Sequence, residues 1–229
     1  MAYELMPTVR LRGATKWRLF CYILMEMQKT AHHHSTTSDG RLSVGRQGFA
    51  HPHTNVGALG IGPGMAVADF GSGSGHYALA IAEALEGSGH IYAIDVQRDL
   101  LRRTHNEATK RGFKNVQILW GDLETSGGSK IADKHLDLVL ISNLLFQVEN
   151  KDAVLQEAAR VLRPQGRLAI IDWSESFGGM GPVKNDVVAK NTALALANNH
   201  GFGLEREFSA GAHHYGLVFK SASHRSRTS

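Results

Sequence analysis

Only one of the 229 residues is a cysteine, Cys21, near the start of the chain. A lone thiol excludes an intrachain disulfide, a zinc site built on cysteines and a cysteine nucleophile with a resolving partner, and it fits a reducing, cytoplasmic setting. Long apolar runs are lacking too. The longest near the N-terminus, residues 19–25, is ended by Glu26 and falls far short of the ~20 residues a membrane span needs. It also lacks the small-residue cleavage site of a secretory signal, so the expectation is a protein neither exported nor embedded. Charged residues make up 20% of the chain and apolar residues 42%, a globular rather than a disordered balance. On length, one domain is expected.

The net charge of +4 speaks to solubility and weak attraction, not to fold. Much of the excess sits at the two ends: Arg10, Arg12, Lys16, Arg18 and Lys29 on one side, Lys220, Arg225 and Arg227 on the other. Within the body, bases and acids are interleaved, as in Gln97-Arg98-Asp99-Leu100-Leu101-Arg102-Arg103, the pattern of a solvated helix face. Nucleic acid is therefore the less favoured partner.

Residues 1–48 read as an extension and linker, any helix there falling around residues 16–28. The stretch 30–48 is rich in Ser, Thr, Gly and His and has no period. Its His32-His33-His34 run has no scaffold to set coordination geometry. After His51-Pro52 the texture changes to short apolar runs alternating with amphipathic segments, the sign of β-α units and a mostly parallel sheet. Seven strands are expected, at residues 66–70, 90–95, 116–120, 136–142, 167–173, 204–210 and 215–220. Leu100, Leu101, Thr104 and Ala108 mark one helix face, and Val154, Leu155, Ala158, Val161 and Leu162 another. Pro164-Gln165-Gly166 stops the second of these helices and turns into a strand. Too few residues separate the last two strands for a crossover, so they pair as an antiparallel hairpin. The fold class is thus α/β, a Rossmann-like three-layer sandwich over residues 49–220, with a tail at 221–229.

The strongest local signal is Asp69-Phe70-Gly71-Ser72-Gly73-Ser74-Gly75, between the first strand and a helix running through Ala78, Ile81, Ala82 and Leu85. Glycines there permit a tight turn and a close ligand, and the helix N-terminus offers unpaired N–H groups. An acid about 20 residues later suits ribose hydroxyls, and Asp95 supplies it. A dinucleotide fingerprint reads Gly-x-Gly-x-x-Gly, whereas here glycine recurs at every second position after an acid. That pattern favours S-adenosylmethionine over NAD(P), since an acid beside the loop suits an amino group and a sulfonium and would repel a pyrophosphate.

With these pieces in place the sequence resembles the class I S-adenosylmethionine-dependent methyltransferases over residues 49–220. The resemblance is carried in order by Val67 to Gly75, Ile91-Tyr92-Ala93-Ile94-Asp95, Gly121-Asp122, Asp137-Leu138-Val139-Leu140 before Asn143, and Arg160 to Arg167. The last run, with Ile170-Ile171-Asp172-Trp173 and Gly181-Pro182, is most similar to the branch of ubiquinone/menaquinone-biosynthesis and arsenite methyltransferases. One departure is Gln165, where that branch usually has glycine. The resemblance implies that Gly71, Ser72, Gly73 and Gly75 line the methionine part of the cofactor, with Asp69 beside its amino group. It implies that Asp95 binds the ribose, with Val96 next to it, and that Asp122 reaches the adenine amino group, with Gly121 and Leu123 alongside. Asn143 would lie by the transferred methyl.

Methyl transfer is an in-line displacement that mainly requires alignment and exclusion of water, with a general base only where the acceptor keeps its proton. Ligands of open parallel sheets sit beyond the carboxyl ends of the strands. That rule places Asn143, Asp172 and Trp173 near the acceptor, and His213, His214 and Tyr215 at the hairpin beside them. No Asn-Pro-Pro-aromatic run follows the fourth strand and no Asp-Asn pair follows the fifth, so amide or exocyclic-amine methylation of bases or glutamine and a catalytic magnesium are not expected. The resulting expectation is methylation of a small-molecule acceptor, with S-adenosylhomocysteine as product, by a monomer or homodimer. An RNA methyltransferase and a non-catalytic cofactor-binding module are the alternatives.

Overall fold

The computed structural model describes residues 50–177 and 181–221. The expected helix at 16–28, the His32-His33-His34 run and Cys21 lie outside the described residues. The element order is α1 (Pro52–Leu59), β1 (Ala66–Phe70), α2 (His76–Ala84), β2 (His90–Asp95), α3 (Arg98–Lys110), β3 (Val116–Trp120), β4 (Leu136–Ser142), α4 (Lys151–Val161), β5 (Leu162–Trp173), α5 (Lys190–Asn199), β6 (Phe202–Gly211) and β7 (His214–Ser221). All seven expected strands are present and the first four have the expected bounds.

The strands form one sheet in the order β3-β2-β1-β4-β5-β7-β6. β1 to β5 are mutually parallel, and β7 runs antiparallel to both β5 and β6. The chain starts in the middle at β1, builds outward through β2 and β3, then returns to place β4 on β1's other side. Ligands of such sheets bind where the direction of building reverses, here between the carboxyl ends of β1 and β4.

Two apolar layers hold the sheet. On one face Val67, Leu138, Leu140, Ala169, Ile171 and Val218 pack under Val56 and Leu59 of α1 and the Ala/Ile-rich side of α2. On the other, Val139, Ile141, Ile170 and Leu217 pack against Val154, Leu155, Ala158 and Val161 of α4 and Ala193 and Ala197 of α5. The strand code is alternation: Val67 faces one layer and Ala68 the other, as pleating requires. α3 buries the expected stripe Leu100, Leu101, Thr104 and Ala108.

Two helices lacked a strong sequence signal. α1 is a proline-initiated octapeptide ended by Gly60 at φ 63°, and only Asn55, Val56 and Leu59 are buried. α5 buries little more than Ala193 and Ala197, too narrow a stripe to stand out as a period. β5 also starts earlier than expected, at Leu162 directly after α4, and its pairing with β4 is irregular between Leu136 and Leu138. The turn expected at Pro164-Gln165-Gly166 is accommodated inside this strand, with Gln165 at φ 66°. Among the described residues no helix is long and apolar enough to cross a membrane.

Candidate functional site

Between β1 and α2 the chain turns through Gly71 (φ 75°), Gly73 (φ 52°) and Gly75 (φ 82°), the left-handed region that glycine enters without strain. A Cβ on Gly71 would stand 2.7 Å from Leu144 Cδ1, and one on Gly75 2.4 Å from Thr104 Cγ2. On Gly73 it would meet nothing within 4 Å. The loop is therefore packed at its flanks and open at its middle, a cradle of bare backbone.

This loop is tied to the end of β2. The N–H groups of Gly71 and Ser72 both donate to Ile94 O at 2.9 Å. Gly73 N–H donates to Asp95 Oδ2 (2.9 Å) and Gln97 N–H to Asp95 Oδ1 (2.8 Å). Gly121 N–H donates to Asp95 O at 3.2 Å, bringing the end of β3 alongside. Burial pushes the Asp95 carboxyl up, opposed by the N–H donors of Gln97, Gly73 and Val96.

Asp69, at the end of β1, is 2% exposed, and its Oδ2 has no protein partner. Burial, with the neighbouring Asp95 charge adding to it, raises its pKa to about 7 against a stabilising N–H from Ala78. Ser72 Oγ, Ser142 Oγ, Asn143 Oδ1 and Gln147 Oε1 are likewise buried without a partner. Buried polar atoms are nearly always paired. Five unpaired oxygens gathered at the ends of β1 and β4, on both sides of the switch point, describe a site built for a ligand rich in donors or positive charge. Asn143 adds a second sign of function. It is a non-glycine residue at φ 50°, held by its N–H to Ile171 O at 2.8 Å and by the Gln147 Nε2 donor on its carbonyl. Such strain persists where surrounding structure enforces it and collects at functional sites.

On the β2–β3 side, Val96 is 56% exposed directly after Asp95. Trp120 Nε1 donates to Val96 O at 3.0 Å, and the Arg98 guanidinium lies 4.2 Å over the Trp120 ring. Asp122 is exposed and holds its own turn through Oδ1, which accepts from Glu124 N–H at 2.9 Å. Leu123 is buried beneath it in the core. An apolar rim at Val96 followed by a carboxylate at Asp122 suits a flat base with an exocyclic amine.

The residues expected on the acceptor side divide. Asp172 is fully buried, and its carboxylate accepts from the backbone N–H groups of Leu145 (3.1 Å) and Trp173 (2.8 Å). Burial lifts its pKa to about 7, but Oδ2 pins the β4–α4 loop to β5 and Oδ1 closes on the next residue of the strand. Tyr215 pairs with Asp172 in register, yet its side chain goes to the α4–α5 layer, where its hydroxyl donates to Val188 O at 3.0 Å. Burial pushes that phenol far up, so it keeps its proton. His213 is bonded through Nδ1 to Glu175 at 2.7 Å and stacks on Phe177 at 3.7 Å. His214 lies 4.3 Å from the Trp173 ring, with its Nδ1 buried and unpartnered. Burial, with His213 adding to it, lowers its pKa to about 4, leaving a neutral imidazole at the sheet edge.

Four residues of this region carry no sequence signal strong enough to single them out: Ser142, Gln147, Tyr77 and Asn55. Tyr77 stands one position into α2, and its hydroxyl accepts from Asn55 Nδ2 at 2.9 Å. Only a position directly after the glycine loop could have flagged Tyr77. Asn55 carries no signal at all, since its partners lie 22 and 155 residues away.

A family model described as a methyltransferase domain matches residues 61–216. An arsenite methyltransferase of Aquipseudomonas alcaligenes is 32% identical over 174 residues, covering 66% of this chain and 50% of that protein. A ubiquinone/menaquinone-biosynthesis C-methyltransferase of Laribacter hongkongensis is 27% identical, covering 57% of this chain and 52% of that protein. The chain spans about half the length of these curated relatives. Among solved structures, a SAM-dependent methyltransferase from Aquifex aeolicus superposes with a TM-score of 0.71 at 21% identity, covering 93% of this chain and all of the other. A [4+2]-cyclase superposes equally well, at 0.71 and 16% identity over 93% of this chain and 97% of its own, so the fold alone does not fix the chemistry. Sequence match, topology and the site at the β1–β4 switch point agree: this chain belongs to the class I S-adenosylmethionine-dependent methyltransferase family.

Proposed function

We propose that residues 49–220 form a domain that transfers a methyl group from S-adenosylmethionine to a small-molecule acceptor. The observation that carries this reading is the partnerless Asp69 Oδ2, buried beside an open glycine cradle. A buried carboxylate oxygen without a donor is costly, and an ammonium group placed there would supply one. S-adenosylmethionine brings that ammonium together with a methyl group on a sulfonium that is already a good leaving group.

Each of the chain's own residues then has a task. Gly71, Ser72, Gly73 and Gly75 present backbone to the methionine part. Asp95, tied to Gly73, keeps further lone pairs for ribose hydroxyls. Val96 flanks the base, with Leu123 packed in the core beneath, and Asp122 accepts from its amine, with Gly121 closing the loop onto Asp95. Asn143 offers Oδ1 beside the reacting end. Asp172 holds the Asn143 loop in place, and Tyr215 braces the far layer. His214, neutral and facing the edge, is the group best suited to take a hydrogen bond from an acceptor, with His213 behind it.

The relatives named for arsenite and for quinone biosynthesis support a small acceptor rather than a polymer. A soft acceptor held by a set of thiolates is not provided for, since the chain has one cysteine. That same cysteine supports a reducing, cytoplasmic setting.

The test is incubation with methyl-labelled S-adenosylmethionine and, separately, a low-molecular-weight metabolite fraction, total RNA and total protein. Label entering the metabolite fraction supports the reading, and label entering RNA or protein alone contradicts it.

A further inference from the structure

Across the sheet face covered by α1 and α2, the carboxyl ends of β1 and β4 bring Asp69 and Ser142 under Tyr77. Tyr77 is 7% exposed, and its hydroxyl oxygen accepts from Asn55 Nδ2 at 2.9 Å. Asn55, itself 2% exposed, donates from the same amide nitrogen to Ala210 O at 3.0 Å. One side chain of α1 therefore fixes the Tyr77 ring oxygen and anchors itself to β6. The Ser142 hydroxyl lies within interaction reach of the phenol, and the Asp69 carboxylate is close enough to act on it electrostatically.

A tyrosine hydroxyl has one hydrogen to give. With the oxygen occupied by Asn55 as acceptor, what Tyr77 still has to offer is that O–H. Burial keeps it a neutral phenol, with Asp69 adding to the effect. The amino-acid end of the methyl donor carries one group that only donates, the ammonium, and one that only accepts, the carboxylate. The structure places one acceptor without a donor, Asp69 Oδ2, and a buried donor, the Tyr77 O–H with the Ser142 hydroxyl alongside, at the same strand ends. The two sets are complementary.

We propose that Tyr77, oriented by Asn55, is a binding residue of the transfer site that donates its hydroxyl hydrogen to the carboxylate of the cofactor's methionine part. This rests on the cofactor reading above and adds the partner of a group that the glycine loop and Asp69 leave unassigned. Asn55 is a positioning residue: it touches no ligand and acts through the Tyr77 oxygen. The arrangement couples α1 and the β6–β7 hairpin to cofactor grip, since both hold Asn55.

The test compares two probes sharing the adenosine and thioether parts, S-adenosylhomocysteine and 5′-methylthioadenosine, by calorimetric titration of the full chain. Tyr77→Phe is expected to weaken S-adenosylhomocysteine about 10- to 100-fold, the value of a hydrogen bond to a charged group, and to leave 5′-methylthioadenosine, which lacks the amino-acid end, within about twofold. Asn55→Ala, which frees the hydroxyl, is expected to show the same selective loss in smaller degree. The double variant should lose no more than Tyr77→Phe alone, because both changes remove one interaction. Should Tyr77→Phe fail to fold, Asn55→Ala carries the same comparison. Loss of affinity for both probes in equal measure, or for neither, overturns the Tyr77 assignment while leaving the cofactor reading intact. A wild-type chain that binds neither probe overturns the cofactor reading itself.

Discussion

Gly73 and Asp95 meet across the first crossover: the Gly73 N–H donates to Asp95 Oδ2 at 2.9 Å, while Asp95 Oδ1 takes the Gln97 N–H at 2.8 Å. One carboxylate thus sets the shape of the glycine loop, and the proposed function gives it the ribose as well. Asp95→Ala removes both functions at once. Its expected effect is a loss of S-adenosylhomocysteine affinity of about 10- to 100-fold, read by calorimetry. Unchanged affinity would show that the ribose lies elsewhere.

Asp69 gives a pH signature. Its folded pKa, about 7, stands above the ordinary value of 3.8. Between those two values the folded chain holds a proton that the unfolded chain has released, so stability without ligand falls as pH rises from about 4 to 7. Asp172, raised in the same direction, adds to the slope, and Asp69→Asn is expected to flatten only part of it. The ammonium of the ligand favours ionised Asp69, so binding near pH 6.5 should release a proton. Titrations in buffers of different ionisation enthalpy will count it, and Asp69→Asn should abolish it.

Gln165 occupies a left-handed conformation, φ 66°, at the turn where the related branch usually has glycine. A side chain there costs roughly 1–2 kcal/mol, partly offset by the ~0.5–1 kcal/mol that glycine's unfolded-state freedom costs. Gln165→Gly is therefore expected to raise the melting temperature by a few degrees with no change in ligand affinity. A lower melting temperature would mean that Gln165 makes up its strain in some other way.

Glu157 locks the β3–β4 loop to α4. Its carboxylate accepts from Gly127 N–H (3.1 Å), from Ser129 N–H and Oγ (3.0 and 2.5 Å), and from Arg160. Burial pushes this carboxyl up, but Arg160 and the Ser129 and Gly127 donors outweigh it and hold it near 2. A depressed pKa contributes stability that is complete above about 4.5 and is lost as pH falls toward 2. Glu157→Gln should cost about 1–3 kcal/mol at neutral pH and flatten the acid limb of a denaturation series. An unchanged acid limb would contradict the lock.

Sequence and structure agree most closely where the signal is local. β1 to β4 have the expected bounds because short, mostly apolar runs that stop at Gly, Asp or Asn need no partner to be recognised. The glycine loop and Asp95 were legible for the same reason. The acceptor side was legible only as a neighbourhood: alternation places residues 172 and 215 at the strand ends, but the layer each side chain enters depends on register. In the structure Asp172 turns to backbone amides and Tyr215 to Val188. Asn55 was invisible, because its function comes from Tyr77 and Ala210, contacts that only the folded sheet brings together. α5 was missed because two buried alanines make no detectable period.

The central claim is that the site at the β1–β4 switch point holds S-adenosylmethionine and its demethylated product. The measurement that tests it most directly is calorimetric titration of the full chain with S-adenosylmethionine and with S-adenosylhomocysteine, at low and at moderate salt. The account predicts micromolar binding of both, nearly independent of salt, since buried hydrogen bonds and one shielded ion pair hold the ligand. Absence of binding by either compound would contradict it.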